Sequence, residues 1–305
     1  MNTQGATPSR RALLTAGAGA ALAVALPAGP ARAASPHGSD GVVAQLRRLE
    51  RDHGARLGVY ARDTATGRTV LHRADELFPM CSVFKTVAAA AVMRDLDHDG
   101  TYLAKRIHYT LQDVLDADGG DITKQEKNIA NGLTVAELCS AAIAQSDNAA
   151  ANLLLRELGG PTAITRFCRT LGDRTTRLDR WEPALNSAEP SRVTDTTSPR
   201  AIGRTYARLA LGDALSPRHR EQLNRWLLSN TTSSERMRKG VPPEWALGDK
   251  TGAGSYGTNN DVGIAWPPGR PPVVLAILTT RPEATAPRDN DLIVKTADLL
   301  TRTLV

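Results

Sequence analysis

Two reactive side chains stand three residues apart in an apolar stretch: Ser82 and Lys85, within Met80-Cys81-Ser82-Val83-Phe84-Lys85-Thr86-Val87-Ala88-Ala89-Ala90-Ala91-Val92-Met93. The run predicts a helix that is apolar nearly all round, and therefore buried. An unpaired buried ammonium is costly, so Lys85 must find partners or lose its proton. The i, i+3 spacing puts both side chains on one face, within contact range. A hydroxyl beside a desolvated amine is an activated nucleophile. By chance a Ser three before a Lys arises about once in a chain this long. Here it occurs once, inside the apolar run.

Three further groups carry compatible chemistry. Ser146-Asp147-Asn148 falls between two helical patterns, where a hydroxyl and an amide could face Ser82. Taken alone, such a triplet is more often a helix cap. Lys250-Thr251-Gly252 ends an expected strand, and Ala253-Gly254 follow. A cation, a hydroxyl and close backbone approach suit a substrate carboxylate, though a plain strand exit has the same look. Trp181-Glu182-Pro183-Ala184-Leu185-Asn186 lies in a long loop, where a carboxylate four residues from an amide could hold one water. A solvated loop acid is the simpler reading of that piece alone.

Together the pieces say more. S-x-x-K, then S-D-N, then K-T-G, in that order, is the element set of class A β-lactamases and penicillin-binding proteins. Over essentially its whole length past the N-terminal segment, the sequence resembles a class A serine β-lactamase. Glu182-x-x-x-Asn186 separates that class from the penicillin-binding enzymes, and Asn230-Thr231-Thr232 resembles the family too. The resemblance implies hydrolysis of the amide bond of penicillins and related antibiotics through a serine acyl-enzyme, giving resistance. It implies no cofactor and no metal.

It also implies residue roles. Ser82 attacks the lactam carbonyl, and its N–H forms an oxyanion hole with that of Ala253. Lys85 accepts or relays the Ser82 proton. Glu182 and Asn186 position and activate the deacylating water. Whether Lys85 or Glu182 is the acylation base stays open. Ser146 passes a proton to the leaving nitrogen, and Asn148 binds the substrate's side-chain amide. Lys250 and Thr251 bind its carboxylate. Arg180 and Asp195 match the pair that ties the ends of the Glu182 loop. The family often adds an Arg on the strand next to Lys-Thr-Gly, but Asn259 stands there; Arg236, with Arg238 as a competitor, matches the alternative position after Asn-Thr-Thr.

The sequence departs from the family in three places. The position that would pair with Cys139 is Ala89, and the position that would pair with Cys81 is Gly254. Neither disulfide is therefore expected, and carbapenem hydrolysis has no support. The aromatic gatepost usual before the Ser-Asp-Asn helix is missing from Asp118–Thr123. Two rivals share the pattern: a D-alanyl-D-alanine peptidase, and a penicillin-sensing domain that is acylated without turnover. Glu182 and Asn186 argue against the first; a sensor would also need an anchor beyond the N-terminal segment.

The positioning elements follow from periodicity. Val42–Arg51 has helical spacing. Arg56–Arg62 and Arg68–His72 flank the turn cluster Asp63–Gly67 and read as a hairpin. Residues 101–133 read as irregular. Thr134 with Glu137 forms a capping box for a helix Val135–Gln145. Further helices are expected over Ala149–Leu158, Pro161–Leu171, Pro199–Leu211 and Pro217–Leu228, with a long loop over Arg177–Thr197. Strands follow over Trp245–Lys250, Asp261–Trp266 and the continuous apolar run Val273–Thr279, then a helix Asp291–Leu304. The expected fold is α+β: an antiparallel sheet built from both chain ends and flanked by helices, with an inserted all-α lobe. Residues 41–78 plus 229–305 form the α/β lobe and 79–228 the all-α lobe, with the catalytic cleft between them.

The chain has 305 residues, 41% hydrophobic and 23% charged, enough for one large or two ordinary domains. The net charge is +6; residues 1–33 hold Arg10, Arg11 and Arg32 and no acid, so +3 remains without them. That excess, with no basic run or aromatic ladder, argues against a nucleic-acid partner. Three Cys without a CxxC and six unclustered His offer no zinc site. Ser9-Arg10-Arg11-Ala12-Leu13-Leu14, the mildly apolar Ala12–Ala28 and Ala31-Arg32-Ala33 look like a twin-arginine export signal cut after Ala33 or Ala34. The expectation is an exported, soluble monomer, free of the membrane once the signal is removed.

Overall fold

Helix α2 (Phe84–Asp95) is buried on every side from Phe84 to Met93. It is the axis around which a layer of helices packs in the computed structural model, which describes residues 37–305. The expected export segment, residues 1–33, lies outside the described residues. Ala88–Ala91 keep α2 thin, so α5 (Val135–Ala144), α6 (Asn148–Glu157), α7 (Thr162–Thr170) and α9 (Pro217–Leu228) approach it closely. The Met80–Met93 run is not one helix. Cys81–Val83 form a 3₁₀ turn that feeds α2, and Cys81 sits at φ 48°. Ser82 is thus in the turn, and Lys85 in the first turn of α2.

The sheet is five-stranded in the order β2-β1-β9-β8-β7, with every neighbouring pair antiparallel. Its strands are β1 (Arg56–Asp63), β2 (Thr69–His72), β7 (Ala246–Ala253), β8 (Asn259–Trp266) and β9 (Val273–Thr280). β9, near the end of the chain, pairs with β1 from Arg56↔Thr280 to Asp63↔Val273, so both ends build one sheet. Every side chain of β9 is buried, as its unbroken apolar run requires. Helices α1 (His37–Asp52) and α11 (Asn290–Leu304) cover one face with Leu46, Leu292 and Leu300. Helix α8 (Pro199–Ala210) covers the other with Ile202, Tyr206 and Leu209. Gly203 permits that approach: a Cβ there would lie 2.5 Å from the Tyr60 ring.

The structure differs from the periodicity reading in several segments. Residues 101–133 are not irregular. They contain β4 (Arg106–Ile107), which pairs with β5 (Leu133–Thr134), and two short helices, α3 (Leu111–Asp116) and α4 (Glu126–Asn131). A capping box of Thr110 and Asp113 starts α3, but its Leu111 and Leu115 are exposed. Only Val114 is buried, so α3 has no periodic apolar face to read. A one-turn helix α10 (Met237–Gly240) was also not legible. The stretch 79–228 is not purely helical: besides β4 and β5 it holds β6 (Thr196–Thr197), paired with β3 (Phe78–Pro79). Its α8 belongs to the sheet's packing. Strand β7 runs on through Lys250-Thr251-Gly252 to Ala253, and β8 begins at Asn259.

Candidate active site

The turn bearing Ser82 is held from the sheet. Asn260 on β8 donates to the carbonyls of Pro79, at 2.9 Å, and Met80, at 3.1 Å. A Cβ at Gly252 would come within 3.0 Å of Met80 O, so β7 lies directly against this turn. The left-handed Cys81 is a backbone strain that this two-sided clamp maintains.

Lys85 finds partners. Its Nζ donates to Ser146 O at 2.8 Å and Asn148 Oδ1 at 2.6 Å, and lies 3.0 Å from Glu182 Oε1. Both members of that ion pair are fully buried. Ser82 Oγ donates to the same Glu182 Oε1 at 3.4 Å. The i, i+3 pair therefore meets through a third residue, not by a hydrogen bond to each other. The reason is local: Ser82 leaves from the 3₁₀ turn, and the ammonium turns to a carboxylate and two carbonyl-type oxygens.

Asp147 caps α6 by accepting from Ala150 N, so the cap reading of Ser-Asp-Asn is also correct. The same carboxylate accepts from Ile122 N, Thr123 N and Thr123 Oγ1, binding the 117–125 loop to the site. Gly120 must pass it closely: a Cβ there would sit 2.1 Å from Asp147 Oδ1. Ser146 is left-handed at φ 59°, which turns its carbonyl to Lys85. Asn148 Nδ2 donates to Ala117 O, so its amide links Lys85 to that loop.

The Glu182 loop is built from its own ends. Arg180 Nε meets the buried Asp195 at 2.6 Å, and Asp195 Oδ1 also accepts from the backbone N–H of Asp179 and Arg180. Asn186 Nδ2 donates to Glu182 Oε2, while its buried Oδ1 has no partner among the described residues. The sequence reading missed Asn152. From α6, its Oδ1 accepts Glu182 N at 3.0 Å and its Nδ2 donates to Glu182 O at 2.9 Å. It lies four residues after Asn148, hence on the same helix face, which is the signal that could have found it.

The end of β7 completes the surroundings. A Cβ at Gly254 would meet Asn186 O at 2.6 Å and Cys81 Sγ at 2.9 Å, so β7, the Ser82 turn and the Glu182 loop converge just beyond Ala253. Cys81 and Cys139 are free and buried, and burial pushes their thiols far up. Thr251 Oγ1 is 2.5 Å from Thr232 Oγ1. Lys250 is fully buried with Nζ on Thr251 O. Burial pulls its amine well down, and the charges of Lys85 and Arg236 pull the same way. The buried Nη1 of Arg236 has no partner among the described residues. Arg238 instead donates to Trp245 O at 2.8 Å. Asn259 is buried and bonded to Asp289 O and Asn290 Oδ1, at the start of α11.

Known proteins share this architecture. The family model of the Beta-lactamase enzyme family matches residues 41–304. A β-lactamase of Streptomyces lavendulae is 67% identical over the whole length of both chains. The structure of the β-lactamase from Streptomyces albus G is 64% identical, covers 87% of this chain and 100% of its own, and superposes with a TM-score of 0.86. An ancestral class A β-lactamase structure is 49% identical, covers 86% of this chain and 99% of its own, and gives a TM-score of 0.81. With the Ser82 turn, the buried Lys85 and the Glu182 loop in these places, the chain belongs to the β-lactamase enzyme family, in class A.

Proposed function

We propose that Ser82, Lys85, Ser146 and Glu182 carry out the chemistry, and that Asn148, Asn186, Arg236, Lys250, Thr251 and Ala253 hold the substrate and the water. The chain is a β-lactamase: it hydrolyses the lactam amide of penicillins and related antibiotics through a serine acyl-enzyme, which gives resistance. The observation that carries the residue assignment is the convergence on Glu182 Oε1, 3.4 Å from Ser82 Oγ and 3.0 Å from Lys85 Nζ.

The steps follow from that geometry. Ser82 Oγ bonds to the lactam carbonyl carbon as its proton passes to Glu182, the group its hydrogen bond already faces. Lys85, with its ammonium committed to three oxygens, stabilises the carboxylate before transfer. The backbone N–H groups of Ser82 and Ala253 receive the oxyanion. The C–N bond then breaks as Ser146 delivers its proton to the nitrogen, and the proton held by Glu182 passes through Lys85 to Ser146, which leaves Glu182 ionised again. For deacylation, Glu182 and Asn186 take the water between them; the water bonds to the acyl carbon, its proton goes to Glu182, and Ser82 leaves with a proton restored.

The site lies where residues 79–228 meet the lobe of residues 41–78 and 229–305. The N-terminal Arg10-Arg11 segment supports export through a twin-arginine route, with a soluble monomer released. Among the described residues no helix is long and apolar enough to cross a membrane. The test is nitrocefin turnover by purified protein, with mass spectrometry after penicillin. Ser82→Ala must lose turnover and show no adduct; residual activity above about a thousandth of the parent rate counts against Ser82.

A further inference from the structure

Behind Lys250, two aspartates lie side by side in the sheet. Asp249 on β7 and Asp261 on β8 are each 1% exposed or less. In the ladder Asp249 faces Gly263 and Asp261 faces Thr251, so the two occupy diagonal positions on one face. Gly263 makes room, since a Cβ there would lie 2.6 Å from Asp249 Cβ. Their oxygens are unequally served. Asp249 Oδ1 accepts from Asn230 Nδ2 at 3.0 Å and Ser233 Oγ at 3.2 Å, and Asp261 Oδ2 accepts from Met237 N at 3.1 Å. The other two, Asp249 Oδ2 and Asp261 Oδ1, are buried and have no donor among the described residues. Two ionised carboxylates in that arrangement would each leave an unsatisfied buried oxygen.

We propose that Asp249 and Asp261 hold one proton between them, Asp261 Oδ1 donating to Asp249 Oδ2, and that the neutral Asp261 thereby leaves Arg236 free for the substrate carboxylate. The charge rests on Asp249, which has the two side-chain donors. Burial, and next the negative charge of Asp249, hold the Asp261 carboxyl protonated well above the usual carboxylate range. The charged groups that face the pair are Lys250, Arg236 and Arg238, with Lys85 and Arg288 acting beyond Lys250 and Arg236.

Arg236 shows the consequence. It feels Asp261 and Asp249 electrostatically, yet it forms no ion pair among the described residues and its Nη1 is unpartnered. An ionised Asp261 would offer a bidentate carboxylate to that guanidinium and satisfy it internally. A neutral acid, already spent on Asp249, competes less. One negative charge instead of two also keeps the region around Lys250 positive toward an incoming anion. Asp261 is on this account a positioning residue. The inference rests on the reading that Arg236 and Lys250 bind the substrate carboxylate.

The test has a spectroscopic and a kinetic arm. In the full protein labelled with [13Cγ]aspartate, one aspartyl carboxyl must remain protonated at about pH 7, against an ordinary Asp pKa near 3.9, and its signal must vanish in Asp261→Asn. Asp261→Ala should raise KM for benzylpenicillin by about tenfold with a smaller change in kcat. Asp261→Asn should recover most of that loss, because an amide has the charge and the donor of the neutral acid. If every aspartate is ionised at neutral pH, or if Asn is as damaging as Ala, the shared proton is refuted. Should Asp261→Ala not fold, the labelled parent still decides. A protonated signal combined with a silent Arg236→Ala overturns the carboxylate reading, and with it the purpose assigned to the proton.

Discussion

Glu182 Oε1 stands between Lys85 Nζ, at 3.0 Å, and Ser82 Oγ, at 3.4 Å, with both charged side chains out of contact with water. One carboxylate oxygen therefore serves the Lys85 amine and the Ser82 hydroxyl at once. Truncating either charged partner strands the other in a buried site, which is more damaging than losing a surface pair. The catalytic role proposed for Glu182 is thereby coupled to the packing around this atom.

That coupling sharpens what Glu182→Ala should do. The proposed role in both steps predicts a variant that acylates more slowly, with Lys85, freed of its carboxylate partner, taking the Ser82 proton, and that then retains penicillin as a stable mass adduct. Loss of a positioned general base should slow turnover by about 10²–10⁴-fold. A variant that never acylates would show that Lys85 cannot replace Glu182 as acylation base, and normal turnover would remove Glu182 from the mechanism.

Asn152 holds Glu182 by two backbone hydrogen bonds, so Asn152→Ala should act through the loop. Two bonds of this kind are worth roughly 1–3 kcal/mol of stability together. Thermal unfolding should shift down and kcat should fall more than KM rises. An unchanged kcat in a destabilised protein would reduce Asn152 to a structural tie.

The substrate carboxylate is assigned to Arg236 in preference to Arg238, whose Nη1 is occupied by Trp245 O. Arg236→Ala should raise KM for benzylpenicillin, costing about 1.5–3 kcal/mol as a lost charged hydrogen bond. Asn259→Ala should cost much less in KM, since Asn259 is bonded to the start of α11. A damaging Arg238→Ala beside a silent Arg236→Ala would reverse the assignment.

Lys250 predicts the alkaline limb of activity. Burial lowers its pKa below the ordinary 10.5, and Lys85 and Arg236 add to the shift. A lysine lowered in this way loses its charge at a lower pH than usual. The kcat/KM for benzylpenicillin, which reports the free enzyme, should therefore decline below the ordinary lysine range. With the substrate carboxylate beside it the amine keeps its proton longer, so kcat should stay level further up. In Arg236→Ala the kcat/KM limb should move to higher pH, because a cation that depresses Lys250 is gone. A limb that Arg236→Ala does not move would separate Lys250 from this titration.

Much of the fold could be read locally. Thr134 and Glu137 form the expected capping box of α5, since N-cap and N3 are fixed by three residues of chain. The apolar run Val273–Thr279 is the doubly covered strand β9, and Asp63–Gly67 turns the hairpin. Helices α3 and α4 escaped because each is only six residues long, too short to show a periodic apolar face. Asn152 escaped because a lone mid-helix amide has no local signature, although its i, i+4 relation to Asn148 put it on the right face.

The sequence by itself determined which groups exist and which lie near each other along the chain: Ser82 with Lys85, Glu182 with Asn186, Lys250 with Thr251. Covalent spacing settles such neighbours before any packing. Tertiary structure decided how they engage. It gave Lys85 to Glu182, Ser146 O and Asn148, joined Ser82 to a residue 100 positions away, and left the buried Nη1 of Arg236 without a partner among the described residues. Those choices depend on strand register, on the turn at Cys81 and on which buried oxygens are already satisfied. Each is a competition among distant groups for the same few donors, and chain spacing does not resolve it.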